Sequence, residues 1–286
     1  MLGAKLSQIE RDPMATMIAA ALGAGAEVMA VYRGTIAVEL KADHSPLTAA
    51  DRRSHAWIMS ALGDALPDVP VLSEEGAAVP YAQRAAWDTF FLIDPVDGTK
   101  EFIKRNDEFT VNIALMQRNG DGVWYPQLGV VYAPALGELF AGGEGLAMHW
   151  TEVEPGAPVP PAGRAAQLPR AERLHGRPHT VVASRSHLSP QTQQFIDARR
   201  LDHPDLQLLT AGSSLKLCRV ADGSADEYPR FAPTMEWDTA AGDAVAHAAG
   251  CQVRVWDRAS NTVAGRLAYN KEDLHNPHFL VRRNPS

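Results

Sequence analysis

The sequence contains few cysteines and no familiar cysteine motif. Only two of its 286 residues are cysteine, Cys218 and Cys251, and each lies inside an apolar stretch. No CxxC or Cys/His spacing suggests zinc, and buried thiols in a reducing compartment fit the pattern better than a disulfide. Neither a disulfide framework nor a zinc module is therefore expected.

Positive charge is also in short supply. The chain carries 27 Lys and Arg against 34 Asp and Glu, a formal net charge of -7. This balance excludes a general nucleic-acid binder, because the phosphate backbone requires a basic surface. With 45% hydrophobic and 21% charged residues the chain is expected to fold. An acidic enzyme acting on an anionic substrate would need local cations, and bound metal ions could supply them.

A long uninterrupted apolar run is missing as well. The Ala-rich stretch 14–26 has charged residues on both sides, at 10–12 and at Glu27, unlike a signal sequence. Asp12-Pro13 is instead typical of a helix cap followed by proline at the first helical position. Because no apolar stretch reaches about 20 residues, we expect no membrane span and a cytoplasmic protein.

Helical and strand patterns divide the chain into two predicted halves. Residues 1–155 indicate a mixed α+β half, residues 156–174 a linker rich in proline, and residues 175–286 an α/β half. Helices are predicted over 13–32, near 189–200, 213–221 and 238–249, and from a cap at Thr48 or Ser45 through Ile58 and Leu62. Strands are predicted over 35–41, 89–94, 110–118, 128–134, 138–143, 179–184 and 207–212. Acidic clusters occur in both halves, so a site where the halves meet is the natural inference.

Asp94 and Asp97 follow an apolar strand in the segment FLIDPVDGTKEF, residues 91–102. Burying two carboxylates without a counter-charge is costly, so a cation is expected between them. Mg²⁺ takes carboxylate and carbonyl oxygens as ligands. Gly98 allows close backbone approach to a phosphate, and the hydroxyl of Thr99 could orient a water molecule. The segment therefore predicts metal-assisted phosphoryl hydrolysis.

Three further acidic positions stand at strand ends or in loops: Asp51, Glu74-Glu75 and Asp238. Any one of them alone could be a helix cap or a solvated turn, since Asp is a favoured N-cap. The chain contains neither GxxxxGK[ST] nor GxGxxG, so a P-loop kinase or a dinucleotide site is not expected.

Together these motifs resemble the inositol monophosphatase-like superfamily of metal-dependent, lithium-sensitive phosphatases. The resemblance is carried by DPVDGT (94–99) and WDTAAGD (237–243), with SEE (73–75) between Asp51 and Asp94. Within the superfamily, the chain looks like the bacterial 3'(2'),5'-bisphosphate nucleotidase branch. The segments similar to that branch are 97–115, SRSH (184–187), GSSLKLC (212–218) and YPRF (228–231).

The resemblance implies an α/β fold, a layered αβαβα sandwich, and a set of roles. Two or three Mg²⁺ ions would be held by Glu74, Asp94, Asp97, Asp238 and the carbonyl of Val96. Asp51 and Thr99 would hold and deprotonate the attacking water, and Gly98 and Thr99 would contact the scissile phosphate. Li⁺ and Ca²⁺ would inhibit. The residues expected around the substrate are Glu74, Asp97, Gly98, Thr99, Ser213, Ser214, Lys216, Arg230 and Asp238.

The substrate-binding residues leave alternatives open. Ser213, Ser214, Lys216 and Arg230 could receive the nucleoside and its second phosphate, since a phosphate needs cationic donors. Otherwise the two cations are surface charges and the two serines cap a helix. Three further cationic residues either steer an anionic substrate or are solvated on a helix: Lys100, Lys104 and Arg105. Glu75 either holds a water molecule or faces solvent. Trp237 is expected to position Asp238.

The predicted activity is the Mg²⁺-dependent hydrolysis of adenosine 3',5'-bisphosphate to AMP and phosphate, and of its phosphosulfate in the same way, within sulfur metabolism. The alternative is an inositol-1-phosphatase, and a fructose-bisphosphatase is a weaker third. A metal- or nucleotide-binding module without activity is disfavoured, because simple binding would not require both Asp51 and Thr99. The expected partner is a small nucleotide. A monomer or homodimer, and a loose association with the inner membrane, are left open.

Overall fold

Two large β-sheets and seven α-helices make up the part of the chain that the computed structural model describes, residues 12–40, 46–174, 176–184 and 189–283. The helices are α1 (Pro13–Tyr32), α2 (Ala49–Ala65), α3 (Tyr81–Arg84), α4 (Thr99–Lys104), α5 (Pro190–Asp202), α6 (Leu215–Ala221) and α7 (Ala240–Ala248). The strands are β1 (Val38–Leu40), β2 (Pro46–Thr48), β3 (Val71–Ser73), β4 (Thr89–Asp97), β5 (Thr110–Arg118), β6 (Trp124–Ala133), β7 (Glu138–Gly143), β8 (Leu146–Trp150), β9 (Ala166–Gln167), β10 (Thr180–Ser184), β11 (Gln207–Ala211), β12 (Glu227–Arg230), β13 (Cys251–Asp257), β14 (Thr262–Arg266) and β15 (Phe279–Arg283).

The first sheet has seven strands in chain order, β3-β4-β5-β6-β7-β8-β9, and the second has six in the order β11-β10-β12-β15-β13-β14. In the first sheet β3 pairs with β4 in parallel, and the pairs that follow are antiparallel. Strands β1 and β2 form a separate antiparallel pair. Sequence-neighbouring antiparallel strands need only short turns, which explains the Gly and Pro turn signals between them.

Helices cover both faces of the first sheet. Helices α1 and α2 pack against each other and against β4, β5 and β6, while α6 and α7 fill the space between the two sheets. Helix α5 packs on β12 at the far side of the second sheet. The resulting order of helices, sheet, helices, sheet and helix confirms the predicted αβαβα sandwich.

Strand β4 shows why its apolar run is continuous rather than alternating. Phe90 and Leu92 belong to the apolar cluster between the two sheets, whereas Phe91 and Ile93 belong to the cluster under α1 and α2. Because side chains alternate along a strand and both faces are covered, every position must be apolar.

Close packing of α7 on the first sheet depends on a glycine. A Cβ atom at Gly129 in β6 would lie 2.3 Å from the carbonyl oxygen of Ala241. A larger residue at this position would push α7 away from the sheet. The close approach of α7 to the sheet matters for the acidic residue Asp238, because α7 begins two residues after it.

Helix α1 reaches the length that no apolar stretch was expected to reach, but it is not a clear membrane span. Its 20 residues are long and apolar enough to cross a membrane by length and composition, although half of the apolar window is buried within the protein. Met17, Leu22 and Val28 are buried in the apolar cluster shared with α2 and the sheet. As expected, the Asp12 side chain caps the helix by accepting from the Met14 amide at 3.0 Å.

The division into two halves with a linker over 156–174 stays a prediction. The first sheet is built from residues 71–167 and the second from residues 180–283, and the apolar cluster between the sheets draws on both. The linker segment itself contains β9 and two short 3-10 helices, Ala162–Arg164 and Ala171–Arg173. Ser45 as a helix cap and residues 185–187 of the SRSH segment lie outside the described residues.

Candidate active site

Asp94 and Asp97 reach the same side of the first sheet because β4 contains a bulge. Asp94 pairs with Asn112 of β5 and Asp97 with Thr110, so two residues of β4 face a single residue of β5. Without the bulge, residues three positions apart would point to opposite faces. The hydroxyl of Ser54 in α2 donates to the carbonyl of Pro95 at 2.7 Å and supports the bulge.

Glu74 is brought beside Asp94 by the parallel pairing of β3 and β4. Ser73 lies opposite Ile93, and the Glu74 amide donates to the Ile93 carbonyl at 3.2 Å. The pKa of Asp94 is raised well above its ordinary value, first by burial and then by the charges of Glu74, Asp97 and Asp238. These carboxyl groups therefore cannot all be ionised together near neutral pH unless a cation lies among them.

Asp238 completes the cluster from the loop that precedes α7. Single carboxylate oxygens of Asp94, Asp97 and Asp238 all lie within 4.8 Å of one another. The Met235 amide donates to Asp238 Oδ2 at 2.9 Å. Burial and the charge of Asp97 raise the pKa of Asp238 to about 8. One buried and two partly buried carboxylates crowded together are a donor set that a divalent cation prefers, so these residues fit a Mg²⁺ site.

Asp51 lies in the first turn of α2 and faces Thr99 at the start of α4. Both the amide and the hydroxyl of Thr48 donate to Asp51 Oδ2 at 2.7 Å, whereas the Thr99 hydroxyl lies 3.4 Å from Asp51 Oδ1. Asp51 is thus both a capping residue, as one alternative had it, and a neighbour of Thr99. Burial raises its pKa above the ordinary value.

Gly98 and Ser213 mark the contact between the two halves of the site. Gly98 has a left-handed φ of 89°, and a Cβ atom there would lie 3.2 Å from Ser213 Cβ. The hydroxyl of Ser213 donates to the Asp97 carbonyl at 3.2 Å. A glycine at residue 98 therefore serves the turn conformation and leaves room for the neighbouring loop.

Ser214 stands at the N-cap of α6, but its hydroxyl makes no capping bond. It lies 2.8 Å from Asp97 Oδ2 and 2.6 Å from the Asp238 carbonyl. The helix-cap alternative is therefore wrong for its side chain. Ser214 instead joins the two acidic segments.

Lys216 and Arg230 line one cleft together with Gly98, Asp97 and Asp238. Lys216 is only 6% exposed, so the surface-charge alternative is wrong for this residue. Its ammonium group donates to the Ser213 carbonyl at 2.6 Å, and burial lowers its pKa to about 8. Arg230 donates to the Pro233 carbonyl at 3.0 Å.

The other predicted cations separate into different places. Lys100 lines the cleft, and Lys104 is exposed. Arg105 donates to the carbonyls of Tyr32 and Gly34 at the end of α1, and its guanidinium lies over the Tyr32 ring. Neither alternative proposed for Arg105 describes it, since it ties the α4–β5 loop to α1.

Asn112 was missed by the sequence reasoning. It is 1% exposed, and its amide group donates to Ser214 Oγ at 2.9 Å and lies 3.4 Å from Asp97 Oδ2. A polar residue within the otherwise apolar run TVNIALM was the available signal, because a buried amide must find partners.

Glu75 and Trp237 are both partly buried next to the predicted metal ligands Glu74 and Asp238. The charge of Glu75 contributes to the raised pKa of Asp51. The roles assigned to these two residues stay predictions.

The layered fold and the acidic cluster at the end of β4 place this chain among α/β proteins with a carboxylate-rich site. The sequence pattern of the inositol monophosphatase family matches residues 10–281, and the chain belongs to this family.

Two nucleotidases are similar to this chain over most of its length. The 3'(2'),5'-bisphosphate nucleotidase CysQ of Escherichia coli (strain K12) is 45% identical over 264 residues, 91% of this chain and 96% of the relative. The protein of the same name from Haemophilus influenzae is 30% identical over 261 residues, 90% of this chain and 87% of the relative.

Solved structures agree with the fold. CysQ from Bacteroides thetaiotaomicron, described as a bacterial member of the inositol monophosphatase family, matches with a TM-score of 0.80 and 42% identity over 95% of this chain and 97% of its own. Thermotoga maritima IMPase matches with a TM-score of 0.67 over 93% and 90%, at 22% identity, and so supports the fold alone.

Proposed function

We propose that this protein is a Mg²⁺-dependent 3'(2'),5'-bisphosphate nucleotidase that hydrolyses adenosine 3',5'-bisphosphate to AMP and phosphate. The observation that carries the proposal is the 45% identity to a nucleotidase of that name over 91% of the chain. The cationic side chains of Lys216 and Arg230 beside the acidic cluster support it, since a substrate with two phosphates needs a second anion site.

Glu74, Asp94, Asp97, Asp238 and the carbonyl of Val96 would hold two or three Mg²⁺ ions. Bound there, the metal would lower the pKa of a water molecule and neutralise charge on the phosphate. The bulge in β4 and the fixed loop of Asp238 keep the ligands in place, which limits the reorganisation needed for binding.

Thr99 and Asp51 would position the attacking water. The Thr99 hydroxyl has one hydrogen and two acceptors near it, Asp51 Oδ1 at 3.4 Å and the Val96 carbonyl at 3.3 Å. When its hydrogen points to Asp51, an oxygen lone pair remains to accept from water. As the water oxygen bonds to phosphorus, a water proton would pass to the Thr99 oxygen while the Thr99 hydroxyl proton passes to Asp51 Oδ1. The raised pKa of Asp51 favours its role as the final acceptor.

The scissile 3'-phosphate would lie against the backbone at Gly98 and Thr99. Glu74, Asp97 and Asp238 would border it. The bond from phosphorus to the ribose 3'-oxygen would break, and that oxygen would take a proton from a solvent water molecule to leave as the hydroxyl of AMP.

The 5'-phosphate and the nucleoside would be received by Lys216, Arg230 and Ser213. Ser214, whose hydroxyl bonds to Asp97 and to the Asp238 carbonyl, would support this pocket from behind. Lys216 uses one of its three N–H donors on Ser213, which leaves donors for a phosphate oxygen. Burial makes such a charge-assisted bond stronger than one at the surface.

The experiment is a phosphate-release assay with Mg²⁺ on a panel of substrates: adenosine 3',5'-bisphosphate, its phosphosulfate, inositol-1-phosphate and fructose-1,6-bisphosphate. We expect the two adenosine compounds to be preferred. Preference for inositol-1-phosphate would favour the alternative activity within the same family, and binding without turnover would favour a non-enzymatic module. The cytoplasmic location and a monomeric or dimeric state accompany this proposal and are tested by cell fractionation and sedimentation.

A further inference from the structure

Arg84 is a buried cation that connects two segments far apart in the chain. It is 3% exposed and ends α3. Its Nη1 donates to Asn270 Oδ1 at 2.8 Å and to the Lys271 carbonyl at 3.0 Å, and its Nη2 donates to the Glu272 carbonyl at 3.1 Å. In return, the Asn270 side-chain amide donates to the Arg84 carbonyl at 3.0 Å. Segment 270–272 is thereby fixed to α3.

The same segment is bound on its other side by Glu236, which is fully buried. The amides of Asn270 and Lys271 donate to Glu236 Oε2 and Oε1 at 2.6 and 3.1 Å, and the Lys271 ammonium pairs with Oε1. Glu236 stands two residues before Asp238. A carboxylate with several donors around it holds one geometry, because each oxygen is already engaged.

The loop that carries Asp238 rests on the residues that follow segment 270–272. The Glu236 amide donates to the Leu274 carbonyl at 2.9 Å, and the Asn276 side chain donates to the Met235 carbonyl at 2.8 Å. The Met235 amide in turn donates to Asp238 itself. The position of Asp238 therefore depends on segment 270–276.

At its other end, Arg84 restrains the loop that follows Glu74. Its Nε donates to the Val79 carbonyl at 3.1 Å. Val79 packs against the apolar cluster between the sheets. The hydrogen bonds of Arg84 thus link the segment after Glu74 in one half to the segment under Asp238 in the other.

We infer that Arg84, acting through Asn270 and Glu236, is a positioning residue that holds Asp238 against the carboxylates of the first sheet and so sets the affinity of the cluster for a divalent cation. Like charges in the cluster push Asp238 away when no cation is bound, so its loop needs an external restraint. Arginine suits this task because its five donors lie in a rigid planar fork that engages several carbonyls in a fixed geometry, whereas the donors of lysine rotate on a flexible stem. The inference rests on the proposed function only in requiring that the cluster bind a divalent cation.

The test is a calorimetric titration of the substrate-free protein with Mg²⁺ and, separately, Mn²⁺. Loss of a residue that orients metal ligands typically costs about 10- to 100-fold in metal affinity, and we expect this for Arg84→Met. The matched control is Arg219→Met. Arg219 is a partly buried arginine outside the Arg84 network, and it pairs with Glu138 and Asp222. We expect this control to lower the melting temperature and leave the metal Kd unchanged.

A second variant keeps the inference testable if Arg84→Met does not fold. Asn270 has a left-handed φ of 56°, which glycine adopts easily, so Asn270→Gly retains the amide bond to Glu236. It removes the two hydrogen bonds between the Asn270 side chain and Arg84, while the bonds from Arg84 to the carbonyls of Lys271 and Glu272 remain. We expect metal binding to weaken in Asn270→Gly as well, by a smaller factor than in Arg84→Met.

Wild-type metal affinity in Asn270→Gly, or in a folded Arg84→Met, would overturn the inference and leave Arg84 with a role in stability alone. Failure of the wild-type protein to bind either cation would instead contradict the proposed function.

Discussion

The hydroxyl of Thr99 lies 3.4 Å from Asp51 Oδ1, across the junction of α4 and α2. The other oxygen of Asp51 is engaged by Thr48, so Oδ1 is the one that faces the site. A polar pair arranged in this way can hold a water molecule in one orientation beside the acidic cluster, which makes its contribution to turnover measurable.

Thr99→Ala is expected to lower kcat far more than it raises KM. The hydroxyl is proposed to orient water in the transition state, and loss of general-base assistance costs about 10²- to 10⁴-fold in rate. Steady-state kinetics with adenosine 3',5'-bisphosphate provides the measurement. Thr99→Ser, which restores the hydroxyl, should recover most of the rate. A defect confined to KM would move Thr99 from water activation to phosphate binding.

Asp94→Asn is expected to weaken Mg²⁺ binding and abolish turnover while the metal-free protein becomes more stable. Burial and three nearby carboxylates raise the pKa of Asp94. When folding raises the pKa of a carboxyl group, the free energy of unfolding falls as pH rises from the pKa of the unfolded state through that of the folded state. The charged form of Asp94 therefore destabilises the metal-free protein near neutral pH. The asparagine removes that charge and keeps the volume.

The measurement for Asp94→Asn is thermal unfolding with and without Mg²⁺. Asp243→Asn is the matched control, because Asp243 is also fully buried but bonds to Tyr269 rather than to the cluster. Turnover by Asp94→Asn at low Mg²⁺ with near-normal rates would show that Asp94 does not bind the metal.

The sequence was sufficient for the elements and the acidic motifs because both are local patterns. The apolar run before Asp94 and the Asp-Pro cap at residues 12–13 indicate their structures without reference to the rest of the chain. Adjacent strands joined by short turns then restrict the first sheet to few arrangements.

Interactions between distant residues could not be predicted in this way. Arg84 and Asn270 are 186 positions apart, and neither position shows a periodic pattern that announces a partner. Lys216 is ambiguous for a related reason. A lysine within GSSLKLC is equally compatible with an exposed helix face, and only the packing of α6 between the sheets buries it. The bulge in β4 likewise depends on pairing with β5.

Stability is expected to fall in weak acid because of His149. This side chain is 1% exposed, stacks on Phe140, and accepts from Arg170 Nη2 through Nδ1 at 2.8 Å. Arginine has no acceptor, so Nδ1 must be unprotonated. Burial, followed by the charges of Arg170, Arg219 and Arg173, lowers the pKa of His149 from 6.5 to about 3.

Above the pKa of the unfolded state, His149 is neutral in the folded and the unfolded protein. As pH falls from that pKa towards the lower pKa of the folded state, only the unfolded protein binds the proton, and the free energy of unfolding decreases. With pKa values of 6.5 in the unfolded state and about 3 in the folded state, the free energy of unfolding falls by ~2 kcal/mol between pH 7 and pH 5. Urea unfolding across this range tests it. His149→Gln should reduce the loss, while His275→Gln, a substitution of an exposed histidine, should not. Equal pH dependence in all three proteins would contradict the assignment to His149.

Lys216→Met is expected to separate substrates with one and two phosphates. The methionine keeps much of the aliphatic stem and removes the charge that is proposed to meet the uncleaved 5'-phosphate. A charge-assisted hydrogen bond contributes about 1.5–3 kcal/mol, so kcat/KM for adenosine 3',5'-bisphosphate should fall roughly ten- to a hundredfold. Inositol-1-phosphate has no second phosphate, and its kcat/KM should hardly change. Arg230→Met should show the same selectivity if the two cations share that phosphate.

The pH profile gives Lys216 a second, independent signature. Because burial lowers its pKa to about 8, the free enzyme loses this charge as pH rises through that value. The wild-type kcat/KM for the bisphosphate should therefore decline above about pH 8, as the profile reports groups of the free enzyme, and Lys216→Met should lack that decline. Lys104→Met, at an exposed lysine in the last turn of α4, controls for general attraction of anions and should change neither the substrate selectivity nor the pH profile. Equal losses on both substrates would assign Lys216 to the geometry of the site, since its ammonium group bonds to Ser213 next to Asp97, rather than to recognition of the second phosphate.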